Sequence, residues 1–271
     1  MSETDFGLPK RTSSPLFDPE SGHSLIVALD DSAISGPEGQ LRDMGAAISL
    51  ARSAGANAVL GFAGMFRHFK GEIGDTAGIL NLTLSTEGPN HLRKVLVGRV
   101  GQAYDLGVKT VSVHVNMTSP FEPEMLGILG QVVTEAGDDL DVLAHVYPRA
   151  ITPTGVETHY DDLKKRHPEK YAKMVRHGAR VAADLGADII KVPYTGSPET
   201  FATVVESGYG LPIIVAGGPK TRRSELLDSV SGAMQAGARG AAIGRNFFQR
   251  GPEQGGKLLK RLDHIIHDSV I

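Results

Sequence analysis

Eight short runs rich in aliphatic and β-branched residues recur along the chain: Ser24–Leu29, Asn57–Phe62, Ile79–Leu84, Lys109–Val115, Asp141–Val146, Asp188–Val192, Leu211–Ala216 and Arg239–Ile243. Most are nearly continuous in apolar residues rather than alternating, the pattern of strands buried on both faces of a parallel sheet covered by helices. Between them apolar positions fall at helical spacing, as in Leu92-Val95-Leu96-Arg99-Val100-Ala103 and Tyr171-Met174-Val175-Gly178-Val181-Ala182-Leu185. Gly55, Gly107, Gly186 and Gly237 each follow such a stretch and precede a strand, where a helix end takes a left-handed residue. Their intervals of 52, 79 and 51 residues correspond to two βα units, two units with an insertion, and two units, with the polar stretch Pro148–Pro168 as the insertion. Eight such units predict an α/β fold, a TIM (β/α)8 barrel in a single domain. An open doubly wound sheet is the weaker alternative, because no G-x-G-x-x-G follows the first strand.

Residues 1–23, with Pro9, Pro15 and Pro19, form an N-terminal extension expected to pack across the bottom of the barrel or stay partly loose. Residues 24–271 make the barrel and a final helix, Gly256–Val270, whose Leu258, Leu259, Leu262, Ile265 and Ile266 form one stripe. Glycine is in excess, 33 of 271 residues against a usual ~7%, without the period of a fibrous chain. The net charge of −3 and the lack of a basic block argue against a nucleic-acid partner, and the lack of a long uncharged apolar stretch against a membrane span. With no cysteine, thiolate metal sites, disulfides and cysteine nucleophiles drop out. Met1–Lys10 has no apolar segment of the secretory kind, so a cytoplasmic location is expected.

A barrel places its chemistry where strands end and βα loops begin. The first run ends at Asp30. The fourth carries Ser112, His114 and Asn116 on one face, the fifth His145 and Tyr147, and the sixth Lys191. Lys191 is the most informative, since an amine inside an apolar run is desolvated, its pKa falls, and a neutral amine is what Schiff-base formation requires. An exposed edge strand, or a lysine paired with Asp30 or a glutamate, remains open. Tyr147 reads equally as a packing aromatic at a strand end, and His114 and His145 read more readily as structural histidines than as acids or bases. After the last two strands, Ala216-Gly217-Gly218-Pro219-Lys220 and Gly244-Arg245-Asn246 offer glycine-exposed N–H groups and an arginine, an anion cradle where barrels commonly hold phosphate. No metal constellation is present: the histidines are scattered, with no H-x-H or H-E-x-x-H.

Four segments resemble the motifs of the archaeal-type class I fructose-bisphosphate aldolase family: Asp188-Ile189-Ile190-Lys191-Val192-Pro193-Tyr194-Thr195-Gly196, Tyr147-Pro148-Arg149, Ala216-Gly217-Gly218-Pro219-Lys220-Thr221 and Ile243-Gly244-Arg245-Asn246-Phe247-Phe248-Gln249. Val111-Ser112-Val113-His114-Val115-Asn116 is more similar to the 2-amino-3,7-dideoxy-heptulosonate synthase branch, and Asp30-Asp31-Ser32-Ala33-Ile34-Ser35-Gly36-Pro37 resembles the family's first loop. The resemblance implies a metal-independent aldolase with Lys191 as Schiff-base lysine, Tyr147 as general acid/base and Asp30 assisting proton transfer. It also implies a phosphorylated substrate on Gly217, Gly218, Gly244 and Arg245, with His114 and Thr195 in the binding site, no cofactor beyond the covalent Schiff base, and a homo-oligomer. The donor it implies is a phosphorylated ketone such as dihydroxyacetone phosphate, and the acceptor an aldehyde such as aspartate semialdehyde. Three other activities fit the residues: a fructose-bisphosphate aldolase, for which Lys164, Lys165 or Arg149 would be the second phosphate site; a lysine-dependent acyl transferase (thiolase) acting on a phosphorylated diketone; and a non-enzymatic phosphate-ligand sensor. The chain departs from the family pattern at Asp31, where a histidine is usual, at Ala63, where the synthase branch has lysine, at His145, usually apolar, and at Pro193.

Overall fold

A computed structural model describes residues 14–87, 91–151, 157–158 and 160–268. Eight parallel strands close into a barrel: β1 (Ser24–Ala28), β2 (Ala58–Gly61), β3 (Ala77–Asn81), β4 (Thr110–Met117), β5 (Asp141–Pro148), β6 (Ile189–Pro193), β7 (Ile213–Ala216) and β8 (Gly240–Ile243). The seam is sealed by β1 against β8, with Ser24 opposite Gly240 and Ile26 opposite Ala242. The principal helices after successive strands are α1 (Met44–Ser53), α2 (Ala63–His68), α3 (Gly101–Leu106), α4 (Glu122–Ala136), α5 (Pro168–Asp184), α6 (Pro198–Ser207), α7 (Arg223–Gln235) and α8 (Pro252–His267). This is the TIM barrel expected from the eight apolar runs. Gly55, Gly107, Gly186 and Gly237 all have positive φ, so the repeat seen in the sequence is a repeat of helix ends.

Alternation along each strand divides the core into two layers. Leu25, Val27, Val113, Val115, Ile190 and Val192 face the helices, while Ile26, Ala28, Leu60, Ile79, Leu143, Ile189 and Ile214 fill the barrel interior. Leu16, fully buried, joins that interior cluster, so the described part of the N-terminal extension contributes to the barrel floor. Higher up, the interior positions turn polar: Ile79 is followed two residues on by Asn81, Leu143 by His145, and Ile189 by Lys191. Apolar residues thus close one half of the barrel and functional groups occupy the other.

Two expectations change. The stretch Leu92–Ala103 is not one helix: Val95–Leu96 pairs antiparallel with Thr83–Leu84, and α3 begins only at Gly101. The Leu92 carbonyl is recruited by Asn116 Nδ2 at 3.1 Å and Ser119 Oγ at 3.2 Å, and the Val97 N–H by the Leu82 carbonyl, so tertiary bonds override the periodicity. Correspondingly, the third run is strand only to Asn81, two residues before that small hairpin begins. The α8 stripe is spent on the barrel: Leu258, Leu259, Leu262 and Ile266 are buried in the main core, and Ile265 packs partly buried against it. The final segment Ser269–Val270 of the expected helix lies outside the described residues.

Candidate active site

A cavity of about 380 Å³ opens at the carboxyl end of the strands, within the size range of small-molecule sites. It brings together Asp30, His114, Tyr147, Lys191, Gly217, Gly218, Gly244 and Arg245, drawn from β1, β4, β5, β6 and the loops after β7 and β8.

Lys191 lies on β6 between β5 and β7, with His145 and Ile214 as its cross-strand partners. In a closed barrel there is no edge for it to escape from, which removes the exposed-strand reading. The residue is 7% exposed, and burial pushes its amine below the ordinary lysine range. Asp30 opposes that shift and Arg245 adds to it. Burial thus brings the amine nearer its neutral form, with the Asp30 carboxylate in the same cavity.

Asp30 follows β1 and is held by Asn81, whose Nδ2 donates to Asp30 Oδ2 at 2.9 Å. Asn81 is fixed in turn, because its Oδ1 accepts from the Thr83 N–H at 3.1 Å, and Thr83 Oγ1 accepts from the His114 N–H at 2.9 Å. Burial pushes the Tyr147 phenol up; Arg149 and Arg245 oppose the rise while Asp30 adds to it. Tyr147 therefore stays protonated at neutral pH and can donate. Its ring lies 4.9 Å from that of His114, and the Arg149 guanidinium is 5.7 Å from its centroid.

Of the two histidines, only His145 departs from the expectation of a satisfied structural group. His114 Nε2 bonds Asn116 Oδ1 at 3.0 Å, whereas His145 Nε2 is buried without a hydrogen-bond partner among the described residues. Their rings stack at 5.9 Å and 13°. Burial holds both well below the usual histidine range, assisted by Lys94 at His114 and by Lys191 at His145, so both are neutral at pH 7.

The loops after β7 and β8 meet through Asn246, which is fully buried. Its Nδ2 donates to the carbonyls of Gly217 (3.0 Å) and Pro219 (2.8 Å), and its Oδ1 accepts from the Thr221 N–H at 3.1 Å. The Gly217 N–H is already donated to the Ala242 carbonyl at 2.9 Å, so its amide is not free for a ligand. Gly218 has φ +68°, and Gly244 accepts from Phe247 and Phe248 at the start of the short helix Arg245–Phe248.

Thr195 does not join the cavity lining: it is buried, and its hydroxyl bonds that of Thr200 at 2.8 Å in the first turn of α6. Lys164 and Lys165 line a neighbouring cavity of about 580 Å³ behind the β7 loop, whereas Arg149 lies in the first. Sequence reasoning missed three residues. Lys94, buried and donating to Ser85 Oγ at 2.7 Å, lines the cavity from the segment misread as helix. Asn81 closes an apolar run with a polar residue, a signal of the same kind as Asp30. Asn246 was visible beside Gly244-Arg245, but its role depends on a loop 27 residues away. Among the described residues, no group of three histidines or carboxylates gathers to hold a metal ion.

A model of the DeoC/LacD family aldolases matches residues 24–250. The chain belongs to that family. It is 32% identical over 248 residues to the 2-amino-3,7-dideoxy-D-threo-hept-6-ulosonate synthase of Halobacterium salinarum, covering 91% of this chain and 87% of that one. It is 33% identical over 250 residues to the 2-amino-4,5-dihydroxy-6-oxo-7-(phosphonooxy)heptanoate synthase of Streptomyces griseus, covering 90% and 85%. An archaeal fructose-1,6-bisphosphate aldolase, solved with its catalytic lysine covalently bound to the carbinolamine intermediate of the substrate, superposes with a TM-score of 0.79 at 27% identity, over 95% of this chain and 98% of that one. This DeoC/LacD chain is a class I aldolase, an enzyme that works through a lysine Schiff base rather than a bound cofactor.

Proposed function

We propose that Lys191 is the Schiff-base lysine and that the donor is a phosphorylated ketone such as dihydroxyacetone phosphate. The observation that carries this reading is the placement of a buried amine on an internal strand, in one cavity with Asp30, Tyr147 and the β7–β8 loops. The neutral amine adds to the ketone carbonyl to give a carbinolamine, and loss of water leaves an iminium. Tyr147, protonated at neutral pH, supplies the proton that lets the hydroxyl leave as water; Asp30 assists the proton transfers. The iminium draws electrons as a neighbouring C–H proton departs, and the resulting enamine forms a C–C bond with an aldehyde. Water then releases the product and restores Lys191. Gly218, Gly244 and Arg245, shaped by Gly217, hold the phosphate, whose binding energy positions the reacting carbon.

For the acceptor we propose aspartate semialdehyde, giving an amino-heptulosonate-type phosphate, in line with the similarity to the two synthases. Fructose 1,6-bisphosphate is the second reading. It is favoured by Arg149 and Lys94, cations in the same cavity and candidates for a second anionic end. Incubation of dihydroxyacetone phosphate with aspartate semialdehyde, and separately with glyceraldehyde 3-phosphate, tests the choice by mass spectrometry of the products. An adduct with the semialdehyde alone supports the synthase; fructose 1,6-bisphosphate alone supports the second reading.

A further inference from the structure

His145 stands where the family resemblance expects an apolar side chain, and the mechanism above does not use it. It is 3% exposed, it lines the cavity, and among the described residues its ring has no hydrogen-bond partner. An imidazole that reaches a cavity without a protein partner is left for a bound ligand to satisfy. The barrel's topology says which group. His145 and Lys191 are cross-strand partners on neighbouring strands about 4.8 Å apart, so their inward side chains stand side by side. Strand β6 has β7 on its other flank, and beyond it the glycine loops. A ketone bound to Lys191 has two arms. With the phosphate arm running towards β7 and β8, the other arm runs towards β5 and His145.

We infer that His145 is a specificity-determining residue that hydrogen-bonds a hydroxyl on the carbon next to the Schiff-base carbon, on the arm away from the phosphate, so that the enzyme selects α-hydroxylated ketone donors. A hydroxyl matches an imidazole in either tautomer, since it both donates and accepts. The His114 ring stands beside it on the neighbouring strand, nearly parallel at 13° and 5.9 Å, and its own Nε2 is engaged by Asn116. This inference rests on the Schiff-base reading of Lys191.

The test compares dihydroxyacetone phosphate with hydroxyacetone phosphate, which lacks only that hydroxyl, in wild type, His145→Phe and His145→Gln. The concentration giving half-maximal borohydride-trapped adduct is read by intact mass. In wild type the hydroxylated ketone is expected to trap at a concentration about 10-fold lower or more. His145→Phe, which keeps a ring of similar shape, brings the ratio within about 2-fold, whereas His145→Gln, still able to hydrogen-bond, retains part of it. Far-UV circular dichroism checks that each variant is folded. A wild type that traps both ketones equally overturns the inference whatever the variants do, and so does an unchanged ratio in folded His145→Phe. Absence of any adduct in wild type refutes the Schiff-base reading itself and this inference with it, an outcome distinct from equal trapping.

Discussion

Gly218 gives the sharpest test of the proposed phosphate cradle. Its φ of +68° lies in the left-handed region, where a Cβ costs about 1–2 kcal/mol, and Gly218→Ala must place that cost somewhere. If the Asn246 clamp on Gly217 and Pro219 holds the loop, the whole cost falls on stability. At about 2–4 °C per kcal/mol for a chain near this size, the melting temperature drops by roughly 2–8 °C. If the loop relaxes to negative φ, the cost appears as lost affinity, roughly 5- to 30-fold for inorganic phosphate or dihydroxyacetone phosphate at about 1.4 kcal/mol per tenfold. Thermal melts with and without phosphate, together with titration calorimetry, measure both quantities. Gly218→Asn, which tolerates the left-handed region better, is expected to fall between wild type and Gly218→Ala. An alanine variant with unchanged melting temperature and unchanged phosphate affinity would refute the assigned role of this backbone.

Tyr147→Phe is expected to lower turnover by about 10²- to 10⁴-fold, the usual range for a lost acid/base group, and to slow borohydride labelling with it, because the iminium that borohydride traps forms through the same proton transfer; full activity would remove Tyr147 from proton transfer. Asn246→Ala leaves the Gly217 and Pro219 carbonyls and the Thr221 N–H without their partner, so a loss of about 2–4 kcal/mol and a raised KM for the phosphorylated ketone are expected from urea melts and steady-state kinetics. An effect on stability alone would separate folding from cradle geometry. His114 and His145 stay neutral in the fold while their unfolded forms titrate near pH 6.5. Their contribution is thus complete above that pH and is lost as pH falls, at about 1.4 kcal/mol per unit for each histidine. His145→Phe should flatten the decline in urea midpoint between pH 7 and 5.5 relative to wild type, and parallel declines would contradict the burial argument.

The fold was legible because one side of each strand's information is purely apolar. Runs such as Ile189-Ile190 and Ile213-Ile214 need a partner layer on both faces, and the glycines at 55, 107, 186 and 237 mark the repeat with a backbone requirement that no side-chain substitution disguises. Lys191 stood out by the same contrast, as a charge within such a run. What stayed hidden depends on contacts distant in sequence. Leu92–Ala103 carries a helical period, but Asn116 and Ser119 capture its backbone from β4 and the turn beyond. Lys94 consequently enters the cavity from a segment whose local pattern says surface helix. Thr195 follows the lysine strand and looks like a ligand group, yet the nearest hydroxyl, that of Thr200, takes it first.

Reductive trapping tests most directly whether Lys191 carries the covalent intermediate. Wild-type enzyme incubated with dihydroxyacetone phosphate and borohydride, then digested and mapped by tandem mass spectrometry, should carry the reduced adduct on the peptide containing Lys191, and Lys191→Met should carry none. An adduct on another lysine, such as Lys94, or an undiminished adduct in Lys191→Met, would contradict the account.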